Sequence, residues 1–458
     1  MLVLPLLSGA LTALAAEAVA AQLTVALCPA AASVEAPVYR QDFYGANGQP
    51  QKIVATAGSL ALADCESTVV NLPAANAVAW AALVPPDRLD GPLNYMALQG
   101  KFSEASIAVS EIIDTWEPPR SAEASPPSTP RSGAANAPPP VPANNRVPGR
   151  SAWLWSPTLW LQSPELIWQL QTEQALTAIY VTVPVNAEGA IENAAALSTF
   201  VGAASARSLQ VWAVIGDHQD VLAVARPALQ ARLDAYREYN NSAAAESRLA
   251  GVQLDIEPYL LPGFSLAQGN WRERYIDVIG FAREQLGANL RLDLVVPGWW
   301  GTHPDWSNQL LDALALPNLS LTVMNYQTNP DSLRNAATPF LAWGQRANVP
   351  VRMALETGRL GDEARRYYGG AERGELWLLD IGDQPVLVLF SAPVDGLSGR
   401  AFSFTEEAPV PAANSTFAGD LSRLARVLAE VEPEWTRWPA FAGIALHGLE
   451  EALLVEKR

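Results

Sequence analysis

From residue 151 onward, short apolar runs alternate with longer stretches in which apolar positions recur three and four residues apart. The runs Ala152–Trp155, Ala178–Val185, Leu209–Ile215, Gly251–Glu257, Leu290–Val296, Ser320–Tyr326, Val351–Glu356 and Ala442–His447 predict strands. Helical periodicity lies between them, as in Val221–Tyr239, Trp271–Leu286, Ser332–Ala347 and Leu421–Val431. Repeated strand–helix alternation of this kind predicts an α/β fold, a (β/α)8 TIM barrel spanning 151–458, with the tail after His447 as a reduced last helix. A doubly wound open sheet is the competing architecture, but no glycine-rich phosphate turn follows an early strand. One excursion breaks the repeat, from Arg359 to about Asp420. It carries its own strand-like pieces at Glu375–Ile381, Pro385–Phe390 and Phe402–Phe404. Following the seventh strand, it is placed to act as a lid or substrate wall.

Before the barrel the pattern changes. From Gln22 to Trp116, short apolar runs are punctuated by Gly, Asn and Pro, which predicts a small, mainly β domain. From Glu117 to Arg150 the chain is Pro, Ala, Ser and Asn, with little to bury, so it reads as an extended linker. Residues Met1–Ala21 are almost wholly apolar and end in small residues, as a signal peptide does, although the usual positive start is missing. A retained membrane anchor is the alternative; no later stretch is apolar enough to span. With the signal peptide, the expected location is periplasmic or secreted.

Cys28 and Cys65, the only cysteines, follow this leader. In an exported domain they read as a disulfide; two buried free thiols are the alternative. Neither has metal-ligand spacing or a nearby His, so no metal and no cofactor are expected. A net charge of −17 argues against nucleic acid as a partner and against docking on an anionic membrane. An acidic chain with 15 Trp suits an uncharged substrate with flat apolar faces.

Candidate chemistry gathers at the ends of the predicted strands, where barrels of this kind carry their active sites. The fourth strand ends in Asp255-Ile256-Glu257-Pro258-Tyr259. Side chains two apart on a strand share a face, so Asp255 and Glu257 form a carboxylate pair. Structural pairing with an Arg or a helix N-terminus is the plainer account of such a pair. The third strand ends in Asp217-His218, and the fifth runs into Trp299-Trp300 and His303. The sixth ends in Met324-Asn325-Tyr326-Gln327, the seventh in Glu356 and the eighth in His447. Trp299, Trp300 and Tyr259 either pack under loops or stack on sugar rings at the mouth.

The fourth-strand motif resembles the chitinase-type barrels of glycoside hydrolase family 18, whose D-x-x-D-x-D-x-E pattern ends in a proton-donating Glu. Here Glu257 takes the acid position and Asp255 the assisting one, while Ala250 and Gln253 replace the two earlier acids. Met324-Asn325-Tyr326-Gln327 is similar to that family's M-x-Y-D, with Gln327 in place of the Asp. Glu257 on strand four with Glu356 on strand seven also resembles the retaining-glycosidase clan, although Ile256 stands where that clan has Asn. Both resemblances imply an exported glycoside hydrolase acting on a carbohydrate, with Glu257 as general acid. In one version Glu356 is the nucleophile. In the other an N-acetyl group of the substrate attacks, oriented by Asp255 and Tyr326. A barrel that binds glycans without cleaving them is the rival from another class. A metal-dependent hydrolase using Asp217, His218, Asp255 and His447 lacks the ligand spacing for it.

Overall fold

The computed structural model describes residues 21–34, 37–44, 50–57, 65–72, 78–83, 94–103, 107–115, 148–260, 268–287, 290–301, 309–381 and 384–450. The expected leader up to residue 20, nearly all of the expected linker, and His303 lie outside these residues, while Ala21 already belongs to the first strand. Among the described residues, no helix is long and apolar enough to cross a membrane. The chain divides into two compact units.

The first unit is a β-sandwich. One sheet has the order β2 (Tyr39–Tyr44), β3 (Pro50–Ala57), β1 (Ala21–Pro29), β4 (Glu66–Leu72). The other places β5 (Val78–Leu83), β17 (Gln384–Val394), β16 (Gly374–Ile381) and the start of β18 (Gly399–Val410) side by side. Val25, Ile53 and Val70 of the first sheet share a core with Trp377, Val388 and Phe390 of the second. Alternate residues of each strand face inward, as in any two-sheet sandwich. Cys28 and Cys65 form a disulfide, tying β1 to the entry of its neighbour β4. Three of these strands, β16, β17 and β18, come from the excursion after residue 359. Sequence pattern placed it apart from the N-terminal segment, yet Val386 pairs with Leu83 and Val388 with Ala81. Sheet partners are chosen by long-range register, which no local pattern reports.

The second unit contains the barrel. Its parallel strands are β8 (Gly149–Leu154), β9 (Leu176–Thr182), β10 (Gln210–Ile215), β11 (Gly251–Leu254), β12 (Arg291–Pro297), β13 (Leu319–Met324), β14 (Val351–Glu356) and β19 (Phe441–His447). They close in that order, with Gly443 of β19 opposite Gly149 of β8. The expected (β/α)8 architecture is therefore present, with strands within a few residues of their predicted places. Between them run α1 (Pro157–Gln162), α2 (Pro164–Gln174), α3 (Ala194–Ser205), α4 (Arg226–Ser242), α5 (Gln268–Leu286), α6 (Gln309–Ala313), α7 (Pro330–Ala347) and α8 (Leu421–Trp435).

Local signals account for the helices. The Asn329 side chain accepts from the amides of Asp331 and Ser332 at the start of α7, Pro330 sits in its first turn, and Asn348 ends it in a left-handed conformation. In α8 Asp420 caps Arg423, and Leu424, Leu428, Val431 and Trp435 form one buried stripe. The barrel strands are covered on both faces, which is why they read as continuous apolar runs. Their outer face packs on the helices. Trp153, Tyr180, Trp212 and Val295 fill the interior.

In the same unit β15 (Glu363–Ala371) pairs with β6 (Tyr95–Phe102), which pairs with β7 (Ile107–Thr115). Strand β7 lies beside the turn Pro258–Leu260, so this sheet stands next to the C-terminal end of β11.

Candidate active site at the C-terminal mouth of the barrel

Strand β11 gives up its regular pairing just before the two acids, although the Asp255 amide still donates to the carbonyl of Ile215 at 2.7 Å. That bond fixes Asp255 at the rim. Its carboxylate is buried, and Oδ1 has no hydrogen-bond partner among the described residues. Burial pushes its pKa well above the usual carboxylate range, and the charges of Glu257 and Asp293 push it further. Glu257 is half-buried, and burial raises it too, against a hydrogen bond from the Tyr259 hydroxyl and the charge of His447. Two neighbouring carboxyls of this kind do not both ionise easily, so each opposes the other's loss of its proton.

Glu356 and His447 are register partners at the ends of β14 and β19. Glu356 Oε2 lies 2.6 Å from His447 Nδ1, and Oε1 accepts from the Gly358 amide at 2.6 Å. On the other side of the ring, Trp155 Nε1 donates to His447 Nε2 at 2.9 Å. An indole N–H can only donate, so Nε2 accepts and Nδ1 carries the proton toward Glu356. Burial alone would lower the His447 pKa. The hydrogen bond to Glu356 and the charges of Glu356, Glu257 and Glu450 outweigh it, and the net shift is upward. The Trp155 N–H works against the cation, because a second proton at Nε2 would break that bond. Gly448 makes the arrangement possible. Its φ is +78°, and a Cβ there would come within 2.2 Å of the Gly358 nitrogen and 2.5 Å of Glu356 Oε1.

Tyr326 stacks on His447, with ring centroids 6.0 Å apart. Burial, then the charges of Glu356, Asp255 and Glu257, raise its pKa well above the ordinary phenol value, so it remains a neutral donor. Tyr259 packs edge-on against Trp299, which is 37% exposed.

The structure thus brings Asp255, Glu257, Tyr259, Tyr326, Glu356 and His447 into one electrostatic neighbourhood, with Trp299 beside Tyr259. Other expected site residues have different surroundings. Trp300 is 0% exposed and packs edge-on against Tyr275, so it belongs to the core rather than to a substrate surface. Asn325 is buried and donates to the Leu333 carbonyl at 2.9 Å, which anchors α7. Asp217 Oδ1 caps the short helical turn His218–Val221 by accepting from the Gln219 amide at 2.9 Å. His218 opens that turn, which packs beside Pro258–Leu260. Among the described residues no cluster of His, Cys, Asp or Glu could hold a metal ion.

Sequence reasoning missed Trp155 as the partner of His447, and it missed the layer beneath the pair. Gln253 accepts from Trp153 Nε1 at 2.6 Å and donates to Asp293 Oδ2 at 2.7 Å. Asp293 also accepts from the hydroxyls of Ser320 and Thr322, and Arg352 Nη1 lies 3.6 Å from its Oδ1. An acid inside the otherwise apolar run Leu292–Val296 was the available signal.

No protein-family model matches the chain, and no curated protein matches it. Among solved structures it is similar to the chitinase domain of the spore coat protein CotE from Clostridium difficile, at 12% identity over 47% of this chain and 68% of that one, with a TM-score of 0.28. It is similar to the spore cortex-lytic enzyme SleL of Bacillus cereus, at 13% identity over 69% and 76%, with a TM-score of 0.34. A third is the intracellular xylanase TsXylA from Thermoanaerobacterium saccharolyticum, at 10% identity over 66% and 86%, with a TM-score of 0.36.

Proposed function

We propose that the protein is an exported glycoside hydrolase whose general acid is Glu257. The observation that carries this reading is the Asp255–Glu257 pair, two carboxyls raised by burial at a barrel mouth, one with an oxygen unbonded. A general acid must be protonated near the working pH, and a partly apolar site achieves that. Glu257 gives its proton to the glycosidic oxygen as the bond to the anomeric carbon breaks. In the second step it takes a proton from the incoming water. Tyr259 and the exposed Trp299 supply aromatic surface for sugar rings. The apolar segment Met1–Ala21 and the Cys28–Cys65 bond support export.

The attacking group is the N-acetyl oxygen of the substrate, with the protonated Asp255 and the neutral Tyr326 as donors that orient it. The commitment of Glu356 favours this over direct attack by Glu356: both its oxygens are hydrogen-bonded and its side chain is 4% exposed. Glu356 then serves to hold His447, and through it the Tyr326 ring. The two-carboxylate version remains the second reading, because Glu356 stands on the same rim as Glu257, three strands away, and a carboxylate oxygen keeps further lone pairs.

Turnover of bacterial and plant polysaccharides by the full chain and by Glu257→Gln tests the assignment. The variant should lose about a hundredfold to ten-thousandfold in turnover on unactivated glycans, lose less on aryl glycosides with good leaving groups, and melt as the parent does. Unchanged turnover of unactivated glycans sinks the proposal. Glu356→Ala separates the two versions. Rescue of its turnover by azide selects the carboxylate nucleophile, and inhibition of the parent by an oxazoline mimic selects the N-acetyl route.

A further inference from the structure

The hydrolysis as derived gives Trp155 no part, yet its half-buried indole touches two other strand ends. Trp155 directly follows β8. At one edge of the ring, Nε1 donates to His447 Nε2 at 2.9 Å, at the end of β19. The opposite edge abuts Gly216, just after β10. A Cβ on Gly216 would come within 2.9 Å of Trp155 Cη2 and 3.0 Å of Cζ3, so only glycine leaves the ring its place. The same point lies 3.8 Å from the Asp255 Cβ, and the indole therefore runs from His447 toward Asp255.

His447 is drawn toward the cation from several sides. Glu356 meets its Nδ1 from β14, Glu257 acts from the segment after β11, and Glu450 from the segment after β19. Glu450 is itself held beside Trp155, because its Oε2 accepts from the Ser156 amide at 3.2 Å. Tyr326 stacks on the ring and Trp153 meets it edge-on, both uncharged. Burial opposes the cation, and so does Trp155. An imidazolium has two N–H donors and no acceptor, so a second proton at Nε2 sets donor against donor at 2.9 Å. The outcome matters to Glu257, because a positive charge at His447 draws the Glu257 carboxyl toward its ionised form.

We propose that Trp155 is a positioning residue of the hydrolysis: its N–H keeps His447 neutral, with the proton on Nδ1, and so keeps a positive charge away from Glu257 while Glu257 holds its proton. This rests on Glu257 being the general acid. Trp155 acts through His447 and makes the end of the first barrel strand a determinant of the working pH. The choice of residue fits the task. Phenylalanine has no donor, and a tyrosine hydroxyl can turn to accept, whereas an indole N–H only donates.

Histidine nitrogen NMR of the full-length protein reads the first half directly; the chain has three histidines, and His447→Gln identifies the signal. The parent should show His447 protonated at Nδ1 alone. Trp155→Phe keeps an aromatic ring and removes the N–H, so the imidazole should take its second proton about one pH unit higher. Gly216→Ala crowds the indole from its far edge; it should act in the same direction to a smaller extent, and it replaces Trp155→Phe if that variant does not fold. The kinetic half is the high-pH limb of kcat/KM. It should move about one pH unit lower in Trp155→Phe, and should not move when the same change is made in His447→Gln. A proton on Nε2 in the parent, an unchanged His447 titration in both variants, or a uniform loss of kcat/KM at every pH overturns the proposal. Full turnover in Glu257→Gln instead overturns the reading of Glu257 and the kinetic half with it, while the NMR result stands on its own.

Discussion

Two buried aspartates in the same barrel have opposite surroundings. Asp293, in the middle of the interior, receives hydrogen bonds from Gln253, Ser320 and Thr322 and has Arg352 nearby. Asp255, at the rim, has a buried oxygen with no partner among the described residues and a pKa pushed well up by burial and by Glu257 and Asp293. A buried carboxylate that is fully bonded costs the fold little and holds its neighbours in place. One left bare makes the fold less stable, and such a cost is expected where chemistry is done. The difference separates a framework acid from a working one.

The largest effect should come from breaking the framework. Asp293→Ala leaves Arg352 buried without its counter-charge and strands the Gln253, Ser320 and Thr322 donors. It should cost roughly 3–5 kcal/mol in urea unfolding, or prevent folding outright. A loss under about 1 kcal/mol would mean that Asp293 is no more a framework group than Asp255 is.

The rim itself is not uniformly loose, and Gly448→Ala tests its rigid part. The added methyl meets Gly358 and Glu356 in a backbone conformation that favours glycine. A loss of roughly 1–3 kcal/mol is expected, with turnover falling further than stability because the Glu356–His447 bond is displaced. Unchanged kinetics would separate that bond from catalysis.

The smallest effect should have the opposite sign. Asp255 has a raised folded-state pKa, so the native protein binds more protons than the unfolded chain. Its penalty is absent below the ordinary carboxylate range and grows as pH rises from there through the folded-state value. Asp255→Asn removes the ionisation. The variant should be more stable than the parent by about 1 kcal/mol at neutral pH, the two converging below about pH 4, with turnover sharply reduced. Melting curves across that range check it, and a variant less stable at neutral pH would place Asp255 with Asp293.

Much of the fold was legible because its signals are local. Eight apolar runs gave the barrel strands within a few residues, and helix caps such as Asn329 and Asp420 follow from side-chain chemistry. The pairing of Asp255 with Glu257, and the placing of Glu356 and His447 at strand ends, came from the two-residue strand period and from the way barrels present their C-terminal edges. Trp299 and Trp300 mark where this stops. They are adjacent, and the sequence treats them alike, yet one is 37% exposed and the other 0%.

The sequence by itself determined the kinds of element, their order, and which chemical groups stand at strand ends, because periodicity and capping act over a few residues. Only the tertiary structure decided who meets whom. Closure of β19 on β8 brings Trp155 to His447, and the β14–β19 register sets His447 against Glu356. Pairing of Val386 with Leu83 folds the excursion into the N-terminal sandwich. Each of these contacts joins residues far apart in the chain, and its free energy comes from shared burial and register, which exist only once the sheets have closed.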